Sequence, residues 1–497
     1  MKKISKSLIA LLVVLLIILN TSFVNAVPAK PPEDGEMLGN GGAPGEPGGG
    51  SSNVSHTGAT TISSDTTDSG KTYSSSNSSE NALLVSGGTS TLTDITVNKS
   101  GDSDGDNSDF YGTNAAILAE DGTLNINGGT VETDGAHANG VFAYSSGVIN
   151  ITDTVINTSN NNSGAVMVTG GGTLIANNVT ATTQGNSSAP IRSDRGGGTL
   201  TVNGGTYTAN GVGSPAIYST ADITVNDATL VSNSSEGAVV EGKNSITLKN
   251  TKLTDTNTSL NGNSETYKNI FLYQSMSGDA DEGTASFTAE NSEIITNKGD
   301  TIFVTNTTAK IILSNNTIVN NDEDGGFLRI QSGKWGNSGS NGGNVTLEAT
   351  EQEISGDIFV DEISLLDMSL SDNSSYTGTI NNSNSAKEIN ITLDSSSTIT
   401  LTGDSYITSL KNEVSDNSNI NLNGYKLYVN GVEIDSTEYS AIQTEMENES
   451  EENIEEQNKV QEDKKEDTFE TVIISVGIIL VIVLAFVLFF KFRTRNI

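Results

Sequence analysis

The chain has 497 residues, a formal net charge of −36 and no cysteine. The lack of cysteine excludes a disulfide framework and any cysteine-based zinc or redox site. The acidic balance argues against nucleic acid as a partner, because a phosphate backbone needs a face of lysine and arginine. The same charge is compatible with solubility, with calcium binding or with a cell-surface setting.

The N-terminal residues form two segments that we exclude from the folded core. A basic start is followed by an apolar run at 8–19 and then by small residues. This order predicts a secretory signal peptide over residues 1–26. Residues 27–79 contain prolines, glycine runs and Ser/Thr-rich stretches, which predict a flexible linker.

The middle of the chain is a repeat. Gly-Thr-Leu and similar tripeptides place an apolar anchor residue about every 24 residues, with one insertion between Ile246 and Phe287, and this period indicates stacked repeats. The anchors are Leu124, Ile149, Leu174, Leu200, Ile223, Ile246, Phe287 and Ile311. A second apolar set lies upstream at Ile117, Phe142, Met167, Ile191, Ile217 and Val239. Apolar and polar residues alternate within each segment, so each repeat predicts about three short strands that bury one face by stacking.

One column of the repeat contains only Gly, Asp and Asn. Its members are Gly128, Asp153, Asn178, Gly204, Asp227, Asn250, Asn291 and Asn315. These residue types adopt positive φ at the least cost, so we predict a sharp corner in every repeat, with stacked side-chain amides. The predicted fold is therefore all-β, a right-handed single-stranded parallel β-helix, or solenoid. Its handedness follows from the crossover preference of parallel strands.

The β-helix is predicted over residues 80–350, and the repeat register weakens after Leu347. Residues 369–380 read as irregular, and alternating segments follow them. Since the open end of a β-helix needs a cover, we predict that residues 351–434 form its end and a C-terminal cap.

The last residues are predicted to attach the domain to a membrane. Residues 435–470 are crowded with glutamate and predict an extended acidic stalk. Residues 471–490 carry no charge, and at ~1.5 Å per residue they form a transmembrane helix that spans a ~30 Å hydrocarbon core. The basic tail at 491–497 places the C-terminus in the cytoplasm and the N-terminal ectodomain outside the cell.

The Gly-Thr-Leu repeats and the closing segments 401–410 and 423–431 resemble bacterial adhesin-like right-handed β-helix surface proteins. The resemblance covers roughly residues 80–434 and implies a cell-surface setting. The group is defined mostly by architecture, so the resemblance implies no reaction and supplies no catalytic residues. The sequence shows no sortase-type sorting motif and no autotransporter barrel, which leaves the C-terminal helix as the anchor.

Four acidic residues share one loop of Gly and Ser: Asp102, Asp104, Asp106 and Asp109. Carboxylates at alternate positions can converge on a hard cation, so calcium is the one cofactor that the sequence suggests. Asn107 and Thr113 depart from the EF-hand pattern, and a solvated acidic insertion is the favoured interpretation.

The candidate ligand-binding residues are Arg192, Asp194, Arg195, Tyr218 and Trp335. The first three share a loop, where an ion pair is favoured over catalysis because the neighbouring repeats supply no matching acidic cluster. Arg192 and Tyr218 are assigned to an outward column with Leu118, Ala143, Val168 and Val240, a mixture that suits a glycan, a protein partner or a packed linker. Trp335 either stacks on sugars or anchors its own loop.

Three functions therefore stand as hypotheses. The leading one is an adhesin-like surface protein that presents the β-helix to extracellular glycan or protein ligands without catalysis. The second is a polysaccharide lyase or hydrolase that acts near Arg192, Asp194 and Arg195, since lyases on β-helices use Arg or Lys as a base. The third is a structural spacer that binds no ligand.

Overall fold

The computed structural model describes residues 54–435 apart from residues 104, 261 and 263. The first compact unit ends at Tyr425, and its described part is a parallel β-solenoid of the right-handed type with about 15 turns. The prediction of an all-β solenoid is therefore confirmed.

Each turn of the solenoid contributes to three parallel sheets, named I, II and III in the order in which the chain visits them. Four long strands bend through the corners and serve more than one sheet: Asn81–Lys99, Ile117–Thr133, Gly172–Thr183 and Gly198–Ala209. Sheet I also contains Gly58–Ile62, Val141–Tyr144, Val166–Thr169, Ile191–Ser193, Ile217–Ser219, Ala238–Glu241, Lys268–Tyr273, Asp300–Thr305, Leu328–Ile330 and Ile358–Val360.

Sheets II and III follow the same turns. Sheet II also contains Thr66–Ser69, Val148–Thr152, Asp222–Asn226, Ser245–Lys249, Thr284–Glu290, Thr307–Ser314, Gly343–Thr350, Leu365–Ser371, Glu388–Leu393 and Ser409–Asn412. Sheet III also contains Thr72–Ser75, Val155–Thr158, Thr229–Ser232, Lys252–Asp255, Glu293–Thr296, Thr317–Asn320, Glu353–Ser355, Ser375–Gly378, Thr398–Leu401 and Ile420–Asn421.

Three short elements complete the description. The helix α1 (Asp106–Tyr111) interrupts the early turns. The strand Ser405–Ile407 takes the sheet I position of a late turn, and its Tyr406 N–H donates to the carbonyl of Ile380 at 3.0 Å. The second compact unit begins at Lys426, and its described residues contain an antiparallel hairpin. The hairpin strands are Leu427–Val429 and Val432–Glu433.

The predicted anchors form one continuous ladder inside the coil. Leu124 pairs with Ile149, Ile149 with Leu174 and Leu174 with Leu200, and the later anchors continue this register to Phe287 and beyond. All eight anchors are buried. The solenoid core therefore lies where the repeat pattern predicted it, along the inward face of sheet II.

The predicted corners are also confirmed. All eight residues of the Gly/Asp/Asn column have positive φ, and Glu351 and Asp372 extend the column. The φ of Asn178 is 51°, and its side-chain amide donates to Asp153 Oδ1 at 2.6 Å. Asn315 donates in the same way to the corner residue of the turn before it, at 2.7 Å. The corners therefore turn the chain from sheet II to sheet III, and those at Asn178, Asn250 and Asn315 also bond to the corner side chain of the turn before.

The sequence reading was wrong about the two faces of sheet I in some turns. The outward ladder that contains Leu118, Arg192 and Tyr218 also contains three residues that were predicted to face the core: Phe142, Met167 and Val239. The inward ladder contains three residues that were predicted to face outward: Ala143, Val168 and Val240. A slip of one residue moves a side chain to the opposite face of a strand. The error arose because both faces of these strands are apolar and buried, as in Val166–Thr169.

Two predicted segments are more regular than expected. The first three strands, from Gly58 to Ser75, lie inside the region read as a linker, and they pair with Asn81–Lys99 as the first turn. Most of their Ser and Thr residues are exposed positions of strands, although Ser75 is buried. Residues 369–380, which read as irregular, contain the end of Leu365–Ser371 and the whole of Ser375–Gly378 in register with their neighbours.

Several predicted segments lie outside the described residues. They are the signal peptide at 1–26, the acidic stalk from residue 436 onward, the transmembrane helix at 471–490 and the tail at 491–497. Within the described ranges, the structure contains no helix with the length and hydropathy that a membrane crossing requires. The C-terminal cap stays a prediction.

Replacing Asn178 by valine tests the corner. A β-branched residue tolerates positive φ poorly, so we expect the free energy of unfolding to fall by about 1–2 kcal/mol. The matched variant Asn178→Gly loses the hydrogen bond to Asp153 but not the conformational freedom, and it should cost less. Urea unfolding followed by circular dichroism measures both. Equal losses in the two variants would contradict the conformational role of this column.

Candidate functional site

The outward face of sheet I carries a continuous ladder that is buried in spite of its position. In the order of the turns, the ladder consists of Leu84, Leu118, Phe142, Met167, Arg192, Tyr218, Val239, Phe271 and Phe303. These side chains form packed clusters of their own, one around Phe142 and one around Phe271. Other segments of the chain therefore cover the outward face of sheet I. The candidate site consists of residues in these covering segments, which we call the cover.

The early part of the ladder is covered by the segment between Lys99 and Ile117, which contains α1. We call a segment that leaves the coil in this way an excursion. A Cβ added at Gly112, just after α1, would lie 2.9 Å from Leu118 Cδ1, so the backbone passes directly over the ladder. The chain's two histidines hold this excursion. His137 Nδ1 lies 2.9 Å from Asp109 Oδ2, and His56 Nε2 donates to the carbonyl of Tyr111 at 2.9 Å.

Arg192 and Asp194 form an ion pair under this cover. Arg192 Nη2 donates to Asp194 Oδ2 at 2.9 Å, and the two residues are 6% and 5% exposed. Burial raises the pKa of Asp194 to about 7 against the opposing charge of Arg192, and the negative charges of Asp279 and Asp109 add to the rise. The favoured interpretation, a loop ion pair, describes these two residues, and solvent reaches little of either.

Arg195 differs from Arg192 because it faces solvent. Its side chain is 46% exposed and forms a salt bridge of 2.6 Å to Asp279 Oδ1. Asp279 belongs to a second excursion, which lies between the strands Lys268–Tyr273 and Thr284–Glu290. The guanidinium carbon also lies 4.0 Å from the centroid of the Phe110 ring. Arg195 therefore joins two excursions that are far apart in sequence, and its outer side stays accessible.

A row of half-buried aromatic rings begins beside Arg195 and lies along the segments that cover sheet I. Phe110 lies 6.5 Å from Tyr111, and Tyr111 lies 5.8 Å from Tyr144, both edge-to-face between ring centroids. We call Phe110, Tyr111, Tyr144 and Arg195 the aromatic–arginine patch. Aromatic residues make up only 5% of the chain, so three of them around one exposed arginine form a distinct surface.

Tyr218 lies deeper, in a network around a buried carboxylate. The hydroxyls of Tyr218 and Tyr273 donate to Glu241 Oε2, the second at 2.9 Å. The hydroxyl of Ser275 donates to Glu241 Oε1. Burial raises the pKa of Glu241, although these three hydrogen bonds act in the opposite direction. Glu241 thus holds the second excursion, which begins after Tyr273, on the outward face of sheet I.

Trp335 anchors its own loop. It is 5% exposed and packs against Phe271 and Tyr273, with centroid distances of 5.2 and 5.4 Å. The alternative that this ring stacks on a sugar does not fit its burial. Tyr218 is 4% exposed, so its predicted role as a direct ligand contact does not fit either.

The acidic side chains of the predicted calcium loop do not share one partner or one position. Asp102 Oδ1 accepts a hydrogen bond from the Ala136 N–H at 2.8 Å, Asp109 pairs with His137, and Asp106 is exposed in α1. Asp104 lies outside the described residues. Among the residues that the structure does describe, no group of three or more His, Cys, Asp or Glu side chains is placed to hold a metal ion. Calcium binding stays a prediction.

Sequence reasoning missed Phe110, Glu241, Tyr273 and Asp279. Asp279 lies 84 positions from the arginine that it pairs with, and no local pattern links the two. Glu241 could have been noticed, because it ends the apolar strand Ala238–Glu241 at a position that is 1% exposed. A carboxylate at the end of an apolar run indicates a buried acid that needs donors.

Comparisons with known proteins give no further assignment. No protein-family model, no curated protein and no solved structure matches the chain.

Stability should be highest near pH 4–5 and fall toward pH 8. The pKa of Asp194 is raised in the folded chain, so the unfolded chain releases this proton first and folding weakens as pH rises from about 4 to about 7. Asp394 limits the acid side. Against slight desolvation, hydrogen bonds that include the N–H of Asp372 lower its pKa to about 2, and its contribution is lost as pH falls toward that value.

Thermal unfolding midpoints between pH 3 and pH 8 measure this dependence. The variant Asp194→Asn cannot titrate, so its midpoint should vary less than that of the parent chain between pH 4 and pH 7. A parent midpoint that is higher at pH 8 than at pH 5 would contradict the assignment.

Proposed function

We propose that this chain is an adhesin-like surface protein whose β-helix binds an extracellular glycan through the aromatic–arginine patch, without catalysis. The observation that carries the proposal is the patch itself, in which edge-to-face rings and a half-exposed guanidinium lie side by side. Ring faces supply flat apolar contact area for sugar rings, and a guanidinium donates paired hydrogen bonds to hydroxyl or carboxylate groups.

The contacts that hold the aromatic–arginine patch in place fit a binding role. Its arginine is held by Asp279 and Phe110, and its helix is held by the two histidines, so the side chains are ordered before a ligand arrives. Preorganised contact residues lose little conformational freedom on binding, which favours affinity. An uncharged or acidic glycan suits the arginine better than a cationic partner does.

A hydrolase remains the second candidate, on one observation. Asp194 has a pKa of about 7, which is near the value of an efficient general acid at neutral pH. Its 5% exposure is the argument against this role, because a polymer must reach the catalytic carboxyl. Release of reducing or unsaturated sugar ends by the parent chain, lost in Asp194→Asn, would favour the hydrolase or lyase over the adhesin.

Substitutions in the patch test glycan binding. We expect Tyr111→Ala and Arg195→Ala to weaken binding on a glycan array by about 5–30-fold each, the loss of 1–2 kcal/mol that a contact residue typically contributes. Tyr425→Ala is the matched control, because Tyr425 is 42% exposed and lies outside the patch. If the control weakens binding as much as Tyr111→Ala does, or if no glycan binds the parent chain, the proposal is wrong.

We also propose that the β-helix is displayed outside the cell, with the predicted signal peptide directing export and residues 471–490 anchoring the chain. The support is the charge pattern of the sequence, since uncharged residues are followed at once by Lys491, Arg493 and Arg495.

Truncation tests the anchor. A chain that ends at residue 470 should appear in the culture medium, whereas the full chain should sediment with membranes and resist extraction by high salt. Immunoblots of the two fractions measure this. A truncated chain that still sediments with membranes would show that residues 471–490 are not the anchor.

A further inference from the structure

Lys268 and Glu236 form a buried ion pair that the aromatic–arginine patch does not use. Lys268 Nζ lies 3.1 Å from Glu236 Oε1, and the two side chains are 1% and 10% exposed. Glu236 lies just before the strand Ala238–Glu241, and Lys268 begins the next strand of sheet I, after an insertion. The pair therefore joins successive turns of the solenoid.

The ammonium group lies between aromatic rings and oxygen acceptors, out of contact with solvent. Lys268 Nζ lies 4.4 Å from the centroid of the Phe271 ring and 5.8 Å from that of Phe303. It also donates to the carbonyl of Thr266 at 3.1 Å and to the hydroxyl of Ser264. Burial acts to raise the pKa of Glu236, but the charge of Lys268 and the hydroxyl of Ser235 lower it overall, so the carboxylate stays charged in a place where charges lose most of their hydration.

A second buried acid accompanies the pair. Asp255 is fully buried; its Oδ1 accepts a hydrogen bond from the Asn297 N–H at 3.1 Å, and its Oδ2 has no partner among the described residues. Burial raises the pKa of Asp255 to about 8, and the negative charge of Glu236 contributes to the rise. At neutral pH this carboxyl is therefore mostly protonated and close enough to Glu236 to feel its charge.

We propose that Lys268 and Glu236 condense into an intramolecular amide, so that an isopeptide bond crosslinks two turns of sheet I. Lys268 first gives one proton to Glu236 within the ion pair, which leaves a neutral amine and a neutral carboxyl. The amine nitrogen attacks Glu236 Cδ, a C–N bond forms and a C–O bond breaks. A second proton leaves the nitrogen, and the departing oxygen carries both protons away as one water molecule.

The arrangement favours this step in two ways. The reacting groups are already in contact, so the loss of translational freedom that slows amide formation between separate molecules does not apply. The product also replaces two buried charges by one neutral amide, which costs far less to bury. Burial keeps Asp255 mostly protonated at neutral pH, so it adds little negative charge to compete with Glu236 for the ammonium group.

The crosslink would close a covalent loop around the insertion between the two strands. A solenoid is stabilised turn by turn, and an insertion between sheets III and I interrupts the corner that normally links them. An amide across the interruption would tie the two turns together where the ladder is weakest. This inference is independent of glycan binding.

Peptide mapping of the purified full chain tests the proposal. Trypsin should fail to cleave after Lys268, and the fragment 253–298 should be found joined to the fragment 196–243, with a combined mass lower by one water. Tandem mass spectrometry should place the bond at Lys268 and Glu236. Lys268→Arg and Glu236→Ala should each yield only linear fragments of full mass.

The chain contains its own control, because Lys252 and Glu293 form a comparable ion pair of 2.8 Å with side chains that are 45% and 42% exposed. That pair should remain uncrosslinked. Linear peptides containing Lys268 and Glu236 at full mass would overturn the proposal. So would a water loss that maps to any other pair of residues.

Discussion

The structure depends on one backbone constraint, a positive φ at the corner between sheets II and III, which recurs in most turns. A left-handed residue reverses the chain direction sharply without a loop, so sheets II and III stay in register from turn to turn. Asp153 and Asn178 show that the same residue also bonds to its counterpart in the next turn, at 2.6 Å. Local conformation and long-range stacking are thus specified by one side chain.

Sheet I works under a different constraint, because its outward face is apolar and must be covered. The cover is held by a few charged side chains rather than by ladder hydrogen bonds. Glu241 collects three hydroxyl donors, and Arg195 joins Asp279 to Phe110. Buried carboxylates with several donors fix one arrangement of the excursions, since any other arrangement leaves a charge without partners.

The sequence alone was sufficient for the parts of the fold that repeat. Leu124 and the other anchors recur with one buried face, and the Gly/Asp/Asn corners allow few conformations. Sheet I could not be read in the same way, because Met167 and its neighbours are buried on both faces and period-2 alternation disappears there. The candidate site was predicted only in part, since the partners of Arg195 come from excursions whose positions no periodic pattern encodes.

The excursions share one topological property. Those that contain α1, Asp279 and Trp335 all leave the coil next to sheet I, whereas the corners from sheet II to sheet III between Gly128 and Glu351 leave at most two residues outside the strands. Segments can therefore be lengthened or exchanged beside sheet I without disturbing the other two sheets. On such a scaffold, loops of different length and sequence can be placed on one side while the same coil continues to fold.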